Sequence, residues 1–423
     1  MTLNICTSTF NKRNSSSLDT YLSVNGYKAW KDIVSNKTSK SDIISKIKNS
    51  GLRGKGGAGF LTGVKWSFIP LTNDQKYLVC NSDESEPGTC KDRDILRYNP
   101  HSVIEGMLIA CYAIGASVGY NYLRGEFIKE QWSVFNNAIL EAQKNNLIGK
   151  NILSSDISID IIPLIGAGAY IVGEETAMLE SIEGKRGMPR IKPPFPAVKG
   201  LYGKPTIINN TETLATVPSI MLNNIDWYKD LGVNGSEGVK MFCMSGHINN
   251  PGNYEIPLGT PFSDLLNLAG GVTKGRNLKA VIPGGSSVPV VKGEEMMKLN
   301  MDYESIAKAG SMLGSGGVIV MDDTTCMVSV LQRISRFYYS ESCGQCTPCR
   351  EGTGWLYKIL SNILSGNGTE HDLMQLDRIA SQIEGHCICA LGDAAAMPVR
   401  SFLKNFWNEF EYYVVKKQSM VSQ

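Results

Sequence analysis

The chain has 423 residues, with 42 Lys and Arg against 40 Asp and Glu, so its formal net charge is only +2. A chain of this length is longer than one that folds around a single ordinary hydrophobic core, so it predicts two or three domains. Because the charges nearly balance, the protein as a whole is not attracted electrostatically to nucleic acid or to an anionic membrane surface. We therefore expect no nucleic-acid binding. Eleven cysteines, an odd number, favour reduced thiols and metal ligands over a disulfide framework and indicate a cytosolic protein.

The sequence predicts no transmembrane helix. The longest apolar stretch, 103–118, contains Glu105 and two glycines, and a membrane helix needs roughly 18 to 20 apolar residues. We therefore expect a soluble or peripheral protein without direct membrane insertion. Residues 1–18 contain no acids and only two basic residues, Lys12 and Arg13. We interpret the first 20 residues as a short, poorly ordered bacterial N-terminus rather than an organelle transit segment.

A glycine-rich loop follows the first long helical pattern. The helix is predicted over 41–51 with Ser41 as its cap, and the loop covers 54–63. Its first six residues match GxGxxG, but in a Rossmann unit that fingerprint follows a strand rather than a helix. Backbone N–H groups of such a loop can still approach a phosphate or a flat ring, and Lys55 and Lys65 add positive charge. A flexible surface loop is the alternative.

An acidic loop leaves the first predicted strand. The strand covers 77–81, and Asp83, Glu84 and Glu86 follow it directly. Ligands of open α/β sheets bind at the carboxyl ends of strands, where carboxylates can accept hydrogen bonds from ribose hydroxyls or amides. A solvated acidic turn is an equally good interpretation of this loop alone.

The next segments indicate a layered α/β domain. Two helical patterns lie between residues 100 and 142, separated by the strand-like 120–124. A strand over 157–164 then enters the glycine turn 166–173 and a helix N-terminus at Glu174. Free N–H groups at a helix N-terminus favour a phosphate or another electron-rich group, although acids are also ordinary first-turn residues.

The middle of the chain contains two further candidate binding segments, and after them the predicted secondary structure changes to short strands and turns. The proline-rich segment 192–196 is predicted to lie across a surface or a cleft. Segment 207–213 offers amide and hydroxyl donors at a strand-to-helix turn, suited to a flavin phosphate or ribityl chain. From about residue 237 to 325, short strands and turns predict a compact β-grasp-like module with a spacer or docking role and no catalytic residues.

The last quarter is predicted to be a helical bundle that binds a metal centre. It carries three cysteines at CxxCxxC spacing, Cys343, Cys346 and Cys349. Three thiolates at this spacing can cover one face of a [4Fe-4S] cluster, and a fourth must come from Cys387 or Cys389, the only later cysteines. A structural zinc with His386 as a ligand is the alternative, although zinc sites usually show two separated pairs.

These motifs together resemble the family of flavin- and NADH-binding subunits of respiratory complex I. The matching segments, in the family's order, are 54–63, 80–88, 166–177, 192–196, 209–213 and 341–350. The similarity extends from about residue 20 to 412. It implies a multidomain α/β protein: an FMN- and NADH-binding α/β domain over 1–236, an SLBB-like β-grasp domain over 237–325, and a helical bundle with a [4Fe-4S] cluster over 326–423.

The resemblance also implies individual site residues. Positions that match flavin contacts are Gly54, Gly56, Lys65, Asn81, Asp83, Gly173, Glu174, Asn209, Asn210 and Thr213. Positions that match NADH contacts are Gly57, Ala58, Phe60, Phe68, Glu86, Tyr170, Glu175 and Phe195. The other glycine-loop and turn residues assigned to the cofactor site are Lys55, Gly59, Gly63, Gly166 and Gly168. Many members carry arginine at the position of Lys55, which keeps the charge here but lacks the planar fork. Cys389 matches the family's fourth cluster ligand better than Cys387.

The resemblance implies hydride transfer from NADH to FMN, then single-electron transfer to the cluster and to partner subunits. Glu86 and Glu175 are expected to orient the nucleotide rather than to act as acid or base. The expected partners are the small thioredoxin-like [2Fe-2S] subunit and the large iron–sulfur subunit of the peripheral arm, at the cytoplasmic face of a bacterial inner membrane. The alternatives are a diaphorase subunit of an NAD-linked hydrogenase or formate dehydrogenase, and a non-catalytic cluster protein without flavin.

Overall fold

A four-stranded parallel sheet forms the centre of the N-terminal region in the computed structural model, which describes residues 4–421. Its strands lie in the order β3-β2-β1-β4, so their carboxyl ends meet at one edge. The strands are β1 (Tyr77–Ser82), β2 (Val118–Leu123), β3 (Asp160–Ile165) and β4 (Thr206–Asn210). All four were predicted from the sequence, with ends that differ by up to three residues.

Eleven α-helices surround this sheet. They are α1 (Leu18–Leu22), α2 (Lys28–Ser35), α3 (Lys40–Asn49), α4 (Thr62–Ser67), α5 (Lys91–Tyr98), α6 (Pro100–Ile114), α7 (Gln131–Lys144), α8 (Glu175–Ile182), α9 (Pro196–Lys199), α10 (Thr211–Leu222) and α11 (Ile225–Lys229). Short 3-10 turns cover Gly125–Lys129, Ile152–Ser154, Tyr170–Gly173 and Leu201–Gly203. Helices α6 and α10 approach so closely that a Cβ on Gly106 would lie 1.9 Å from the carbonyl oxygen of Leu214, which requires glycine there.

Two sequence predictions for this region were wrong. Ser39, not Ser41, caps α3, because the Ser39 hydroxyl accepts a hydrogen bond from the backbone N–H of Asp42. The N-terminal segment, expected to be poorly ordered over 1–20, is packed from residue 4 onward. Its Cys6 is fully buried, and the backbone N–H of Cys6 donates to the Glu255 carboxylate at 2.8 Å. Residues 1–3 lie outside the described part of the chain.

A second, mixed sheet follows, with strand order β6-β5-β9-β7-β8. Its strands are β5 (Val239–Gly246), β6 (Gly252–Pro257), β7 (Leu278–Ile282), β8 (Val291–Lys292) and β9 (Gly317–Asp322), and its helices are α12 (Phe262–Leu268), α13 (Gly293–Met296) and α14 (Tyr303–Lys308). Successive side chains of a strand point to opposite faces. Accordingly Met241 packs into the core of the N-terminal region, whereas its neighbour Phe242 packs into the core of this module.

The C-terminal region is a bundle of four helices, as predicted. They are α15 (Met327–Glu341), α16 (Thr347–Leu364), α17 (Glu370–Ile383) and α18 (Leu391–Lys416). The sequence predicts an apolar stripe of Trp355, Ile359, Leu360 and Ile363 on α16. Leu360 and Ile363 are buried, but Trp355 is 52% exposed and its neighbour Leu356 is buried instead. Within residues 4–421 the structure contains no helix that is both long enough and apolar enough to cross a membrane.

Candidate functional site

The three regions meet around a cavity of about 760 Å³, within the size range typical of small-molecule sites. The carboxyl ends of β1 and β4 bring Asp83 and Asn210 to its wall. The predicted residues that line it are Gly56, Gly57, Ala58, Asn81, Asp83, Glu86, Tyr170, Gly173, Glu174, Asn210 and Cys389. Those that lie outside its lining are Gly54, Lys55, Gly59, Phe60, Gly63, Lys65, Phe68, Gly166, Gly168, Glu175, Phe195, Asn209, Thr213, Cys343, Cys346 and Cys349.

The glycine loop presents bare backbone to this cavity. The N–H of Gly54 donates to the carbonyl of Phe60 at 2.8 Å and closes the loop. Gly57 has φ +143°, and a Cβ built on it would meet nothing within 4 Å, so a side chain there would stand in open space at the cavity wall. The loop thus leaves room for a ligand to approach the main chain.

Both backbone groups of Lys55 form hydrogen bonds with side chains in the protein interior. Its N–H donates to the Thr213 hydroxyl at 2.9 Å, and its carbonyl accepts from the Lys240 ammonium at 3.2 Å. The peptide between Lys55 and Gly56 is trans, so the Gly56 N–H points opposite to that carbonyl, away from the buried lysine. Lys240 of the β-grasp module therefore helps to orient an N–H group of the cavity wall.

The predicted role of Lys55 as a free charge beside a phosphate was wrong. Its side chain is buried, and its ammonium lies 2.8 Å from the Thr216 hydroxyl and 3.4 Å from the Glu212 carboxylate. Burial disfavours the charged form, but the fields of Tyr228 and Glu212 prevail and raise the pKa of Lys55 above its usual range. This charge is neutralised within the protein.

Several other predicted positions make contacts inside the protein. A Cβ on Gly63 would lie 2.2 Å from the backbone nitrogen of Lys48, so this glycine allows α3 and α4 to pack. The Asn209 side-chain oxygen accepts a 2.8 Å hydrogen bond from the Trp66 indole. A Cβ on Gly166 would lie 2.6 Å from the Tyr122 hydroxyl. These residues support the loops around the cavity.

Asp83 is the carboxylate of the acidic loop with a free oxygen. The Ser85 hydroxyl donates to its Oδ2 at 3.2 Å, whereas its buried Oδ1 has no hydrogen-bond partner among residues 4–421. Burial raises the pKa of Asp83 to about 7. The neighbouring Asn81 amide donates to the Gly173 carbonyl at 2.9 Å. A buried acceptor without a donor is suited to a ligand hydroxyl or amide.

Glu86 connects the α/β region with the β-grasp module. Its carboxylate accepts hydrogen bonds from the Tyr170 hydroxyl at 2.7 Å and from the backbone N–H of Ser287 at 2.8 Å. Burial raises the pKa of Glu86, and both hydrogen bonds oppose that shift. The backbone N–H of Tyr170 in turn donates to Glu341 of α15 at 2.9 Å. The structure thus brings together Glu86 and Tyr170, two residues that were predicted separately.

A second group of charges lies around the N-terminus of α8. The Glu174 side chain caps this helix by accepting from the backbone N–H groups of Thr176 and Ala177. The Glu175 carboxylate lies 3.3 Å from the Lys65 ammonium and 2.9 Å from the Lys192 ammonium. Burial acts in the opposite direction, but these two lysines lower the pKa of Glu175. This cluster remains partly exposed.

The three phenylalanines assigned to the nucleotide are strongly exposed. Phe60, Phe68 and Phe195 are 52%, 55% and 58% exposed, and the ring centroids of the first two are 6.2 Å apart. Exposed aromatic side chains are not explained by core packing, and their faces can cover a flat base.

One predicted metal ligand, Cys389, lines the cavity, and the other three lie between the end of α15 and the first turn of α16. Cys346 is the N-cap of α16, Cys349 is buried in its first turn, and Cys389 lies just before α18 and lines the cavity. Burial, with the nearby Cys343 and Cys346 as further causes, raises the pKa of Cys389 to about 12. Burial and Cys346 raise the pKa of Cys387 to about 12 as well. Cys389 as fourth ligand stays a prediction.

Within residues 4–421, no three Cys, His, Asp or Glu side chains form a group that could hold a metal ion, and this applies to a zinc and to a cluster alike. The zinc alternative also requires His386. Nδ1 of His386, its proposed histidine ligand, is exposed and forms a 2.8 Å hydrogen bond with the Glu384 carbonyl.

Sequence reasoning missed several residues of the cavity wall. Lys91 and Asp92, at the start of α5, line it as a 2.8 Å ion pair. Ser287 and Ser315 come from the β-grasp module, which was expected to have only a spacer or docking role. No local signal marks these residues, because Lys-Asp and Ser-rich turns are common at helix starts and in loops.

Comparisons with known proteins identify the three regions. Family models match the Nuo51 FMN-binding domain over residues 47–219, the SLBB domain over 241–299, and the NADH-ubiquinone oxidoreductase-F iron-sulfur binding region over 329–413. These matches confirm the predicted fold class.

Similar whole proteins agree with the family models. The NADH-quinone oxidoreductase F subunit of Rickettsia bellii is 53% identical over 375 residues, covering 88% of this chain and 90% of the relative. The corresponding protein of Rickettsia conorii is 52% identical, with 90% of both chains covered.

Solved structures point to a related fold. A chain of an NAD+-reducing [NiFe]-hydrogenase in the air-oxidized state has a TM-score of 0.82 at 32% identity, covering 94% of this chain and 67% of that one. The H2-reduced state has a TM-score of 0.80 at 34% identity, covering 89% of this chain and 63% of the hydrogenase chain. The chain thus spans less than two thirds of the hydrogenase chain in its reduced state. From the family models and the curated relatives together, the chain belongs to the family of NADH-quinone oxidoreductase F subunits.

Proposed function

We propose that the cavity between the three regions is the FMN and NADH site of an electron-input subunit of NADH:quinone oxidoreductase. One observation carries this proposal: the same cavity is lined by the glycine loop at Gly56 and Gly57 and by Cys389. A flavin held by the loop would therefore lie on the path to the cluster ligands. Bound FMN supplies hydride acceptance from NADH and one-electron transfer onward to the [4Fe-4S] cluster.

The residues at the cavity wall fit the flavin. The Gly56 N–H, turned outward by the Lys55 carbonyl, can donate to an anionic or carbonyl oxygen. Asp83 has a free buried oxygen that can accept from a ribityl hydroxyl. No side chain needs to transfer a proton in the hydride step, so the protein sets the distance and orientation of the reacting groups and excludes water.

The NADH nucleotide is proposed to bind at the exposed side of the cavity. The faces of Phe60, Phe68 and Phe195 can cover the adenine. Glu86, fixed by Tyr170 and Ser287, can accept hydrogen bonds from a ribose. Glu175 orients the nucleotide indirectly, because its charge competes with phosphates for Lys65 and Lys192.

The cluster is proposed to be held by Cys343, Cys346, Cys349 and Cys389. Four thiolates are the ligand set that a [4Fe-4S] cluster requires, and Cys389 brings one of them to the cavity wall. We propose Cys387 as a neighbouring thiol outside the ligand set. Its Sγ donates to the Ile383 carbonyl at 3.6 Å, and a Cβ on Gly392 would lie 2.5 Å from that sulfur.

One experiment separates the two cofactors. The full chain is purified anaerobically with its partner subunits, and flavin absorbance, cluster EPR and NADH–ferricyanide turnover are measured. Gly57→Leu places a side chain in the cavity and is expected to remove the flavin while the cluster signal remains. Cys389→Ser is expected to remove the NADH-reducible cluster signal while the flavin remains.

The controls are matched to each change. Gly275→Leu introduces the same side chain at another positive-φ glycine with open space around it, and Cys387→Ser removes the neighbouring thiol. Both controls should retain flavin and cluster. Full flavin content in Gly57→Leu would refute the cavity as the FMN site, and a cluster lost only in Cys387→Ser would reverse the ligand assignment.

The chain assembles with other complex I subunits. We further propose that its direct partners are the small thioredoxin-like [2Fe-2S] subunit and the large iron–sulfur subunit, and that the assembly lies at the cytoplasmic face of a bacterial inner membrane. The identities of 52 to 53% to quinone-reductase subunits, against 32 to 34% to a hydrogenase chain, support this choice over a hydrogenase diaphorase. Co-purification with a nickel-containing subunit would overturn it.

A further inference from the structure

Two thiols meet where the α/β region contacts the β-grasp module. Cys90 directly precedes α5, and Cys243 lies in β5. The backbone N–H of Cys90 donates to the Cys243 sulfur at 3.2 Å, and the Cys90 thiol donates to the Asn253 side-chain oxygen at 3.4 Å. A disulfide needs the sulfurs about 2.0 Å apart and the Cβ atoms about 3.5 to 4.5 Å apart. Because the Cys243 sulfur already touches the backbone of Cys90, rotation of the Cys90 side chain away from Asn253 can bring the two sulfurs together.

The two thiols differ in the way that thiol–disulfide exchange requires. Cys90 is partly exposed, and the neighbouring Cys243 thiol, with Arg93, lowers the pKa of Cys90 to about 7 despite its partial burial. Cys243 is buried, and this burial raises its pKa well above the usual value. At neutral pH Cys90 can therefore be the attacking thiolate, with Cys243 as a protonated neighbour that reacts second.

The segment around Cys90 is already fixed to the β-grasp module. The Cys90 carbonyl accepts from the Asn253 amide at 3.1 Å, and the Pro87 carbonyl accepts from the backbone N–H of Ser286 at 3.2 Å. The hydroxyls of Thr89 and Ser315 form a further hydrogen bond across the same boundary at 2.5 Å. These contacts hold the two sulfurs together without a covalent bond.

We infer that Cys90 and Cys243 form a dithiol site that a low-molecular-weight disulfide converts into an intramolecular disulfide. The Cys90 thiolate attacks one sulfur of the reagent, the reagent's S–S bond breaks, and one thiolate leaves. Cys243 then attacks the Cys90 sulfur, the second reagent thiolate leaves, and the proton of the Cys243 thiol passes to it. Two protein thiols are oxidised by two electrons, and the reagent is reduced to two thiols.

The disulfide would covalently connect the wall of the cavity to the β-grasp module. Thr89 and Lys91, on either side of Cys90, both line the cavity. The bond closes a long loop and so restricts the unfolded chain. Oxidation is therefore expected to raise the thermal unfolding midpoint, whether or not flavin is bound.

Mass spectrometry of the full complex tests this site. The complex is treated anaerobically with oxidised glutathione, remaining thiols are alkylated, and the protein is digested with trypsin. We expect peptide 77–91 to be crosslinked to peptide 241–274, with fragment ions that place the bond at Cys90 rather than at Cys80. Cys90→Ser and Cys243→Ser should each abolish the crosslink, whereas Cys80→Ser should retain it.

The opposite results are equally clear. A stable glutathione adduct on Cys90 without the crosslink would overturn the inference, as would free alkylation of both thiols after treatment. A crosslink that forms only after denaturation would also overturn it, because the folded geometry would then play no part. The unfolding midpoint before and after treatment provides the second readout, and it should rise in Cys80→Ser but not in Cys90→Ser.

Discussion

Glu212 and Asp83 are both buried carboxylates near the glycine loop, yet their pKa values move in opposite directions. Burial would raise both. In Glu212 the fields of Lys91 and Lys55 prevail and lower the pKa to about 2, whereas in Asp83 burial outweighs the Ser85 hydrogen bond and the field of Arg124 and raises the pKa to about 7. The charge of Glu212 is used to hold the scaffold together, and the acceptor capacity of Asp83 remains available to a ligand. Burial alone therefore does not reveal which carboxylate binds the cofactor.

The largest effect is expected from Glu212→Gln. Without this charge Lys55 loses its ion-pair partner and Lys91 loses one of two, keeping Asp92, so the free energy of unfolding should fall by about 3 to 5 kcal/mol. In the wild type this stabilisation is present above pH 4.5 and is lost as the pH falls toward about 2. Urea titrations followed by circular dichroism measure both quantities.

The control for Glu212→Gln is Asp377→Asn. Asp377 pairs with Arg400 at 3.5 Å, but its side chain is 58% exposed. Removal of an exposed pair of this kind should cost less than about 1 kcal/mol. Equal losses in the two variants would show that Glu212 is no more structural than a surface residue.

Asp83→Asn should raise the free energy of unfolding of the flavin-free protein, the opposite of the effect of Glu212→Gln. The ionised, unpaired carboxylate opposes folding, so the variant should be more stable by roughly 2 kcal/mol at pH 8. The gain should vanish as the pH falls from about 7 toward 4, because wild-type Asp83 then takes up a proton in the folded state. Thermal unfolding midpoints across this pH range measure the effect.

Asp83→Asn should also weaken FMN binding, measured by quenching of flavin fluorescence. Greater stability combined with weaker binding would distinguish Asp83 from Glu212. A loss of stability at pH 8 would instead make Asp83 a structural residue like Glu212.

Lys240→Met tests the connection between the buried lysines and the cavity. The variant removes the hydrogen bond to the Lys55 carbonyl and so frees the peptide that orients the Gly56 N–H. A hydrogen bond from a charged group contributes roughly 1.5 to 3 kcal/mol, so FMN affinity should fall about tenfold or more. Lys298→Met, an exposed lysine of the same module, is the control. Unchanged FMN affinity in Lys240→Met would show that the loop does not need this support.

The smallest effect is expected from Glu175→Gln, because this carboxylate is partly exposed, unlike the buried Glu212 and Asp83. Loss of this carboxylate frees Lys65 and Lys192 for the nucleotide phosphates, so NAD+ affinity should rise about threefold, as for other exposed ion pairs. The gain should shrink at high salt. Isothermal titration at two ionic strengths measures it. If NADH affinity, flavin potential and turnover were all unchanged, the orienting role of Glu175 would be wrong.

Most of the architecture and much of the site could be predicted from the sequence. The four parallel strands, the acidic loop with Asp83 and Glu86, and the helical bundle around Cys346 all lie where their local patterns placed them. The Asn210 turn at the end of β4 also lines the cavity as expected. These features depend on residues a few positions apart, so the local spacing contains the information.

The contacts of individual side chains were harder to predict. Lys55 was expected beside a phosphate, yet it is buried against Glu212, which lies 157 positions later in the sequence. Trp355 was expected in the core and is exposed, because α16 packs one residue further around its axis, on Leu356. In both cases the local pattern predicted the loop or the helix correctly but did not determine where the individual side chain points.

Local spacing thus determined which segments are candidates for the cofactor site: the glycine loop, the acidic loop and the cysteine triplet. Which charge in those loops is free and which is neutralised depended on partners far away in the sequence. Lys240, 185 positions from Lys55, orients the glycine loop, and a supposed spacer module completes the cavity wall with Ser287. Packing brings such distant groups together, and burial then sets the energy of each charge by its neighbours in space rather than in sequence.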